Sequence, residues 1–265
     1  MSEVDFTGAR VVVTGAGGIF GRRIAGAFAR AGARLCLSDH RPDVLKRLPA
    51  ELGLDRDGTL LHATELTDDG SVLDLIQLVA RAWAAPDVLV NNAGVYPRGP
   101  LLDLPAGEWD RIMSVNVRAP FLLSRELARL MIRAGVRGAI VNISSGAART
   151  MRTGSVPYCT SKAALERLTA GLALELAPHG IRVNAVSPGF APGSTVSPLP
   201  AAYVEAMLAR IPLGRPSGPD DAPAAVLFLC SDRASYITGA TLAVDGGNSI
   251  GTVDPTVSPA AGPPG

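Results

Sequence analysis

The sequence is poor in residues that cross-link chains or bind metals. It contains three cysteines, Cys36, Cys159 and Cys230, an odd number without the spacing of metal ligands. This argues against a disulfide framework and predicts a reducing compartment. The three histidines, His40, His62 and His179, are scattered along the chain, so we expect no metal site.

Aromatic residues and excess charge are also scarce. Aromatics make up 5% of the chain and the formal net charge is +1, so neither a base-stacking platform nor a basic surface for nucleic acid is expected. No apolar run approaches the ~20 residues of a membrane span, and M-S-E-V-D-F at the start lacks the pattern of a secretion signal. We therefore expect a soluble, cytoplasmic protein without nucleic-acid or membrane partners.

What the chain does contain is a large supply of core residues. Hydrophobic residues make up 47% and charged residues 18%, which is typical of a well-buried globular protein. No linker, charge run or repeat interrupts residues 1–247, which predicts one domain. The Pro/Gly-rich tail, residues 248–265, is predicted to be disordered or to pack on a neighbouring molecule.

Short apolar runs alternate with helical patterns along this domain. The predicted strands are Arg10–Thr14, Arg34–Ser38, Leu60–Ala63, Asp87–Val90, Ala139–Ile143, Arg182–Val186 and Thr241–Val244. Helical patterns cover about 22–31, 68–78, 105–134, 158–176, 201–209 and 220–230. This alternation predicts an α/β fold, a single Rossmann-type doubly wound domain whose seven-stranded parallel sheet carries helices on both faces.

The first strand runs into a turn that contains Gly15, Gly18 and Gly21. A glycine-rich turn between a strand and a helix lets the backbone approach a pyrophosphate at the helix N-terminus. Asp39 ends the second strand about 18 positions after Gly21, where an acid binds ribose hydroxyls and repels a 2′-phosphate. The pattern predicts a dinucleotide cofactor, with NAD favoured over NADP.

A catalytic group is predicted around the fifth strand and the helix that follows it. Tyr158 and Lys162 lie one helical turn apart, and Ser145 precedes Tyr158 by about 13 positions. A cation beside a phenol favours the phenolate, so we expect the pKa of Tyr158 to fall below its usual ~10. Such a tyrosine exchanges a proton with an alcohol or ketone. Taken alone, Y-x-x-x-K is typical of an exposed helix face.

Further features point to the same edge of the sheet. N-N-A-G (91–94) and S-P-G (187–189) each follow a strand, at the end where open α/β sheets bind ligands. Asn116 is a poor helix former inside a predicted helix, so we expect its side chain to bond within the site. Residues 188–214 are rich in Pro, Gly and Ser and are predicted to cover a pocket.

The motifs T-G-A-G-G-I-F-G, N-N-A-G, S-S, Y-C-T-S-K, S-P-G and V-D-G-G occur in one order over about residues 5–247. In this order they resemble the short-chain dehydrogenase/reductase family, single-domain subgroup. The resemblance implies that Tyr158 is the general acid/base and that Lys162 lowers its pKa and holds the nicotinamide ribose. Ser145 would orient the substrate carbonyl, and Asn116 would hold a water that links Lys162 to solvent. It also implies a homotetramer built through the helices at 105–134 and 158–176.

The same resemblance implies a set of cofactor-binding residues: Gly15, Gly18, Ile19, Phe20, Gly21, Asp39, Glu65, Leu66, Asn91, Ala93, Gly94, Tyr158, Lys162, Pro188, Gly189 and Thr195. Three positions depart from the family pattern. Ile19 holds the middle glycine position and Phe20 holds the next one. Gly18 is expected to take over the role of the missing glycine. Glu65 replaces an aspartate, and Thr195 supplies the nearest hydroxyl, with Ser194, where the family has a threonine.

The predicted substrate pocket is formed by Tyr96, Ala147, Met151, Tyr203 and Met207, which suggests an apolar guest. Arg149 and Arg152 either meet a carboxylate or phosphate, or point to solvent or pair across a subunit contact; we favour the second reading.

We therefore predict an NAD(H)-dependent oxidoreductase that interconverts a secondary alcohol and a ketone. The alternatives are a 3-oxoacyl-thioester reductase, which usually prefers NADPH, and a non-catalytic cofactor-sensing protein, which usually lacks the tyrosine or the lysine.

Overall fold

Seven parallel strands form one sheet in this computed structural model, which describes residues 4–55, 58–192 and 200–251. Their order across the sheet is β3-β2-β1-β4-β5-β6-β7, and every neighbouring pair is parallel. The strands are β1 Arg10–Thr14, β2 Arg34–Asp39, β3 Leu60–Ala63, β4 Val88–Asn91, β5 Ala139–Ile143, β6 Arg182–Pro188 and β7 Thr241–Val244. The predicted Rossmann-type fold class is confirmed.

Helices cover both faces of the sheet. They are α1 Ile19–Arg30, α2 Pro42–Glu51, α3 Asp69–Trp83, α4 Ala106–Met113, α5 Ala119–Arg133, α6 Val156–Leu176, α7 Ala201–Leu208 and α8 Asp221–Cys230. Val11 and Val13 of β1 pack with α1, α2 and α8, whereas Val12 packs with α3, α5 and α6. Because side chains alternate along a strand, an unbroken apolar run serves both cores.

Two helical segments differ from the prediction. Helix α2 was not predicted, and it contains Pro49, a residue that removes a helical hydrogen bond. The single helix predicted at 105–134 is divided into α4 and α5 by a π-turn at Ser114–Arg118. A π-turn inserts one extra residue into a helix, a local change that the helical pattern did not predict.

The sheet order places a crevice between β1 and β4. The chain leaves β1 towards β2 on one side, and it returns as β4 on the other side. In doubly wound sheets this reversal opens a crevice at the carboxyl ends of the strands, where ligands bind. The glycine-rich turn after β1 and the N-N-A-G segment at the end of β4 therefore face each other.

The predicted domain boundary at residue 247 stays a prediction. The start of the predicted tail forms a turn in which the backbone amide of Asn248 donates to the carbonyl of Asp245.

An ion pair joins β1 and β4 at their amino ends, the edge of the sheet opposite the crevice. The Nε and Nη2 atoms of Arg10 each donate to the carboxylate of Asp87 over 2.8 Å, as does the Arg10 backbone amide. Burial alone would raise the pKa of Asp87, but the hydrogen bonds from Arg10 outweigh it and lower the pKa. Arg10 also donates to the carbonyl of Trp83, so the pair joins β1 to the end of α3 and the start of β4.

We expect Asp87→Asn to lower the free energy of unfolding at neutral pH by about 1–2 kcal/mol, since it weakens a partly exposed, charge-assisted contact. A carboxylate with a lowered folded pKa stabilises the protein above its unfolded pKa of about 4 and loses that effect in acid. The difference between wild type and variant should therefore shrink as the pH falls below about 4. Urea unfolding over a pH series measures it. Asp110→Asn, a change at an exposed carboxylate of α4, is the control, and an equal loss there would contradict the assignment.

Candidate active site

Lys162 lies at the centre of the predicted catalytic group. Its side chain is buried, and its ammonium donates a hydrogen bond of 2.8 Å to the carbonyl of Ile143, the last residue of β5. The ammonium also lies 5.9 Å from the ring centre of Tyr158, one turn earlier on α6. Burial lowers the pKa of Lys162 to about 8. The predicted juxtaposition of the phenol and the ammonium is present.

The ionisation of Tyr158 differs from the prediction. Burial raises the pKa of this phenol above its usual value, whereas the Ser145 hydroxyl and the positive charge of Arg152 act to lower it. The Lys162 ammonium donates its hydrogen bond to the Ile143 carbonyl rather than to the phenol. The predicted lowering of the pKa is therefore wrong for this structure, because removal of the phenolate from water dominates. The phenol is protonated at neutral pH.

Ser145 is held where the prediction requires it. It directly precedes a short 3₁₀ turn, residues 146–148, and its Oγ accepts a hydrogen bond of 3.2 Å from the amide of Ala147. A hydroxyl that accepts in this way keeps its own hydrogen for donation. Because Ser145 also interacts with the phenol of Tyr158, both hydroxyls are directed to one place.

Asn116 occupies the π-turn, and its side chain is completely buried. The Asn116 Oδ1 accepts from the amide of Val95, while its Nδ2 donates to the carbonyl of Val95 and to the Ser161 hydroxyl, each over 2.9 Å. The amide therefore ties the loop after β4 to α6 beside Lys162. The predicted bonding within the site is present; the predicted water-holding role stays a prediction. A Cβ on Gly94 would lie 3.5 Å from the Lys162 ammonium, so the loop passes close by.

The glycine-rich turn is tightly folded in spite of its departure from the family pattern. Gly18 is the N-cap of α1 and donates to the carbonyl of Gly15 over 3.0 Å. Ile19 and Phe20 form the first turn of the helix, whose amides lack intrahelical partners. A Cβ on Gly21 would overlap the carbonyl oxygen of Gly15 and lie 2.8 Å from the Cα of Ala16. The turn thus offers a helix N-terminus that suits a phosphate group.

Two residues that lock this turn to β4 were missed by the sequence analysis. The Asn92 side-chain amide donates to the carbonyls of Thr14 and Gly15 over 3.0 Å. The Thr14 hydroxyl accepts from the backbone amides of Asn92 and Ala93 at 3.1 and 3.2 Å. The available signal was the strand period of two, which places adjacent asparagines on opposite sides of the chain.

Asn91 accordingly turns into the core rather than towards the adenosine side. Its Nδ2 donates to the Ser124 hydroxyl at 3.0 Å and to the Oδ1 of Asn142 at 2.8 Å. Asn142 in turn donates to the Thr169 hydroxyl, which makes a buried polar chain from α5 through β4 and β5 to α6. The Asn91 side chain thus makes its hydrogen bonds in the core, and the predicted cofactor contact of this residue stays a prediction.

The carboxylate of Asp39 lies at the other end of the crevice. It is buried and accepts hydrogen bonds from the Gly17 amide at 2.9 Å and from the Arg41 amide and guanidinium. Burial raises the pKa of Asp39, but the bonds from Arg41 and Gly17 outweigh it and lower the pKa. Asp39 is therefore ionised at neutral pH and paired with a cation two residues later, a feature that the sequence analysis did not foresee.

Glu65 and Leu66 lie beside this end of the crevice. Glu65 follows Thr64, whose amide donates to the carbonyl of Asp39 at 3.0 Å. The Glu65 carboxylate accepts from the amide and hydroxyl of Thr67 at 3.0 and 2.8 Å, and these bonds lower its pKa. Leu66 packs against the core that α3, α5 and α6 form with the sheet. The place suits the predicted contact with adenine, and that contact stays a prediction.

The S-P-G turn and the D-G-G turn close the opposite side. Gly189 donates to the carbonyl of Val244 at 2.8 Å, and a Cβ at Gly189 would lie 2.8 Å from the Cα of Asp245. Pro188, the last residue of β6, holds this turn at the carboxyl edge. The predicted cofactor residue Thr195 lies outside the described residues, as does the part of the predicted cover at 193–199.

The predicted pocket residues have different environments. The ring of Tyr96 meets the ring of Tyr158 edge to face, with 6.1 Å between the centres, and Tyr203 of α7 bonds Arg98. Ala147 and Met207 are buried, whereas Met151 is 71% exposed. Tyr96 thus lies beside Tyr158, and Met151 faces solvent.

Comparisons with known proteins place this geometry in a family. A model of the enoyl-(acyl carrier protein) reductase family matches residues 15–249. A gluconate 5-dehydrogenase from Gluconobacter oxydans is 34% identical, with 94% of this chain and 99% of that protein covered. A cis-4-hydroxycyclohexanecarboxylate dehydrogenase from Sinomonas cyclohexanicum is 38% identical, with 89% and 94% covered. The crystal structure of a 3-ketoacyl-(acyl-carrier-protein) reductase from Brucella melitensis, complexed with NADH, has a TM-score of 0.83 and is 33% identical, with 92% and 99% covered.

The chain belongs to the short-chain dehydrogenase/reductase family. It is an oxidoreductase of the kind that uses a nicotinamide cofactor. Among the described residues no helix is long and apolar enough to cross a membrane. Within the same ranges no cluster of three or more His, Cys, Asp or Glu side chains is placed to hold a metal ion.

The close approach of Gly21 to Gly15 can be tested by adding a methyl group at Gly21. We expect Gly21→Ala to displace the turn, to weaken nicotinamide-nucleotide binding at least ~10-fold and to destabilise the fold, because overpacking costs about 1–3 kcal/mol. Quenching of protein fluorescence by NADH and thermal unfolding measure the two effects.

Gly26→Ala in the same helix is the matched control, since a Cβ there meets only side-chain atoms at 3.4 and 3.5 Å. It should leave cofactor binding unchanged and stabilise the helix by up to about 1 kcal/mol. Equal behaviour of the two variants would show that the close approach is unimportant.

Proposed function

We propose that this protein is an NAD(H)-dependent oxidoreductase that interconverts a secondary alcohol and a ketone, with Tyr158 as the general acid/base. The observation that carries the proposal is the convergence of Tyr158, Lys162 and Ser145 at the carboxyl edge of β5. A non-catalytic cofactor-sensing protein has no need for this arrangement, so we do not favour that alternative.

The crevice fits a dinucleotide. Neither Gly17 nor Gly21 has room for a Cβ. The first turn of α1, which begins at Ile19, presents backbone amides that have no partner within the helix. These amides would hold the pyrophosphate, Asp39 would hold the adenosine ribose, and Lys162 would hold the nicotinamide ribose. When bound, the nicotinamide accepts or donates the hydride; the chain itself orients the substrate and moves the proton.

The proton chemistry follows from the state of each side chain. The protonated phenol of Tyr158 donates its proton to the oxygen of a ketone, and the Ser145 hydroxyl stabilises that oxygen with a second hydrogen bond. The phenolate that results is stabilised by the Lys162 ammonium, an attraction that burial strengthens. In the opposite direction the phenolate takes the proton of an alcohol. Asn116 keeps the loop after β4 and α6 together while this happens.

The carbon skeleton of the substrate is left open by this proposal. The relatives are named for a sugar acid, a ring carboxylate and an acyl thioester, and each reaction concerns a secondary alcohol or its ketone. A 3-oxoacyl-thioester reductase thus remains the alternative, supported by the likeness to the Brucella melitensis enzyme.

We also propose a cytoplasmic homotetramer formed through α4, α5 and α6, as in the family. An apolar groove with Met113, Phe121 and Leu168 in its wall runs along these helices.

Replacement of the phenol tests the acid/base role. Tyr158→Phe should lower turnover of secondary alcohols by at least ~10²-fold, the scale of general acid–base catalysis, while NADH still binds. Tyr236→Phe makes the same chemical change at a fully exposed ring and should leave turnover unchanged. NADH absorbance follows the reaction, and retained activity in Tyr158→Phe would refute the role.

The choice between NAD and NADP tests Asp39. In Asp39→Ala the carboxylate that repels a 2′-phosphate is lost, and Arg41 is released from its pair to bind that phosphate. We expect the ratio of kcat/KM for NAD over NADP to fall roughly 10- to 100-fold. Asp43→Ala, an exposed change in the first turn of α2, is the control. An unchanged ratio in Asp39→Ala would show that another group reads the ribose.

A further inference from the structure

We infer that Glu166 is a positioning residue of this active site. It binds the hydroxyl of Ser144 and thereby fixes the adjacent Ser145, whose own hydroxyl stabilises the substrate oxygen in the proposed function. The inference rests on that proposed function, because it concerns the same reaction. Glu166 is not among the residues that the sequence analysis assigned to the site.

Glu166 extends the stripe of α6 on which Tyr158 and Lys162 lie. The three residues follow one another at intervals of four, and side chains with this spacing share one face of a helix. The stripe meets the end of β5. Lys162 donates to the carbonyl of Ile143, and the Glu166 carboxylate accepts a hydrogen bond of 2.8 Å from the Ser144 hydroxyl. Consecutive residues of the strand end are thus bound by consecutive members of the stripe.

Ser144 lies at the point where the chain leaves the sheet. Its side chain is buried, and its amide donates to the carbonyl of Val186 in β6 at 2.7 Å. The next residue, Ser145, is already the N-cap of the 3₁₀ turn at 146–148. Because only two backbone torsions per residue are soft, a fixed Ser144 leaves Ser145 little freedom. The sheet holds Ser144 by its backbone, and Glu166 holds it by its side chain.

The hydrogen bond to Ser144 accounts for an acidic residue at position 166. Glu166 is half-buried, and a carboxylate that is partly removed from water is costly unless donors replace the water. A hydroxyl that donates to a carboxylate forms a charge-assisted bond, which is stronger than a bond between neutral groups. An apolar side chain in its place would leave the buried hydroxyl of Ser144 without this acceptor.

Helix α6 is also bound to β5 on both sides of Glu166. Lys162, one turn earlier, binds the end of the strand. Thr169, three residues later, accepts from the side-chain amide of Asn142 at 2.9 Å. These two bonds keep the helix in register when Glu166 is replaced. The part that gains freedom is then the strand end that leads to Ser145, rather than the helix.

The first experiment removes either end of the bond and separates turnover from binding. Oxidation by NAD of the secondary alcohol that wild type oxidises fastest in a panel is followed by NADH absorbance. Glu166→Ala and Ser144→Ala should each lower kcat about 10- to 100-fold, the scale of a small misplacement of an active-site group. KM and the binding of NADH should change little, because the cofactor crevice is untouched.

Two further variants serve as matched controls. Glu166→Gln keeps an acceptor oxygen for the Ser144 hydroxyl and should retain most of the wild-type kcat. Glu175→Ala removes an exposed carboxylate from the same helix and should behave as wild type. Ser144→Ala removes a single oxygen atom, so it keeps the test decisive where Glu166→Ala fails to fold.

A double-mutant cycle with Ser145 identifies the route of the effect. If Glu166 acts through Ser144 on Ser145, then Ser145→Ala alone already loses what Glu166 supplies. The double variant Ser145→Ala/Glu166→Ala should therefore have the kcat of Ser145→Ala. A merely structural role predicts a further fall, because α6 and the phenol of Tyr158 would move as well.

Three results would overturn the inference. The first is wild-type kcat in Glu166→Ala or Ser144→Ala. The second is a loss that multiplies with that of Ser145→Ala, which would indicate general loosening of the fold. The third is an equal loss in Glu166→Gln and Glu166→Ala, which would show that the negative charge matters and the hydrogen bond does not.

Failure of the inference and of the proposed function can be told apart. If Tyr158→Phe and Ser145→Ala lose turnover but Glu166→Ala does not, the inference about Glu166 is wrong and the proposed function stands. If Tyr158→Phe is as active as wild type, the proposed function itself is wrong.

Discussion

The site depends on one buried cation. An ammonium removed from water needs a hydrogen-bond acceptor, and for Lys162 that acceptor is the last carbonyl of β5. The bond holds α6 close to the carboxyl end of the strand and brings Tyr158 over the edge of the sheet. The loop after β4 passes close by, since a Cβ on Gly94 would lie 3.5 Å from the ammonium. The same burial lowers the pKa of Lys162 to about 8, so the group that organises the site is also sensitive to its electrostatic environment.

The cofactor crevice combines fixed backbone with balanced charge. Thr14 and Asn92 bond the glycine-rich turn to the neighbouring strand, and the first turn of α1 contributes amides rather than charged side chains. At the far end Asp39 is ionised but paired with Arg41. This pair limits the penalty of a buried carboxylate and keeps the carboxylate in place. The proposed preference for NAD over NADP rests on the balance between these two opposite charges, which lie two residues apart.

Much of this was visible in the sequence because parallel strands buried on both faces are short unbroken apolar runs. The limits of β1, β3, β5 and β7 match the predicted ones, and Ser145, Tyr158 and Lys162 meet as expected. The side toward which Asn91 points was not predictable from the motif N-N-A-G, since it depends on where β4 ends. The π-turn at Asn116 and the raised pKa of Tyr158 were missed for a related reason: both arise from three-dimensional packing, which no local pattern records.

The buried chain of Ser124, Asn91, Asn142 and Thr169 has a consequence for alignment. Apolar contacts tolerate a small slide of a helix along a sheet, but hydrogen bonds between buried amides and hydroxyls demand particular angles. This chain reaches from α5 across two strands to α6, the helix that carries the phenol and the ammonium. It therefore fixes the position of α6 along the sheet, so that Tyr158 and Lys162 are aligned by side chains that lie in the core, outside the candidate site.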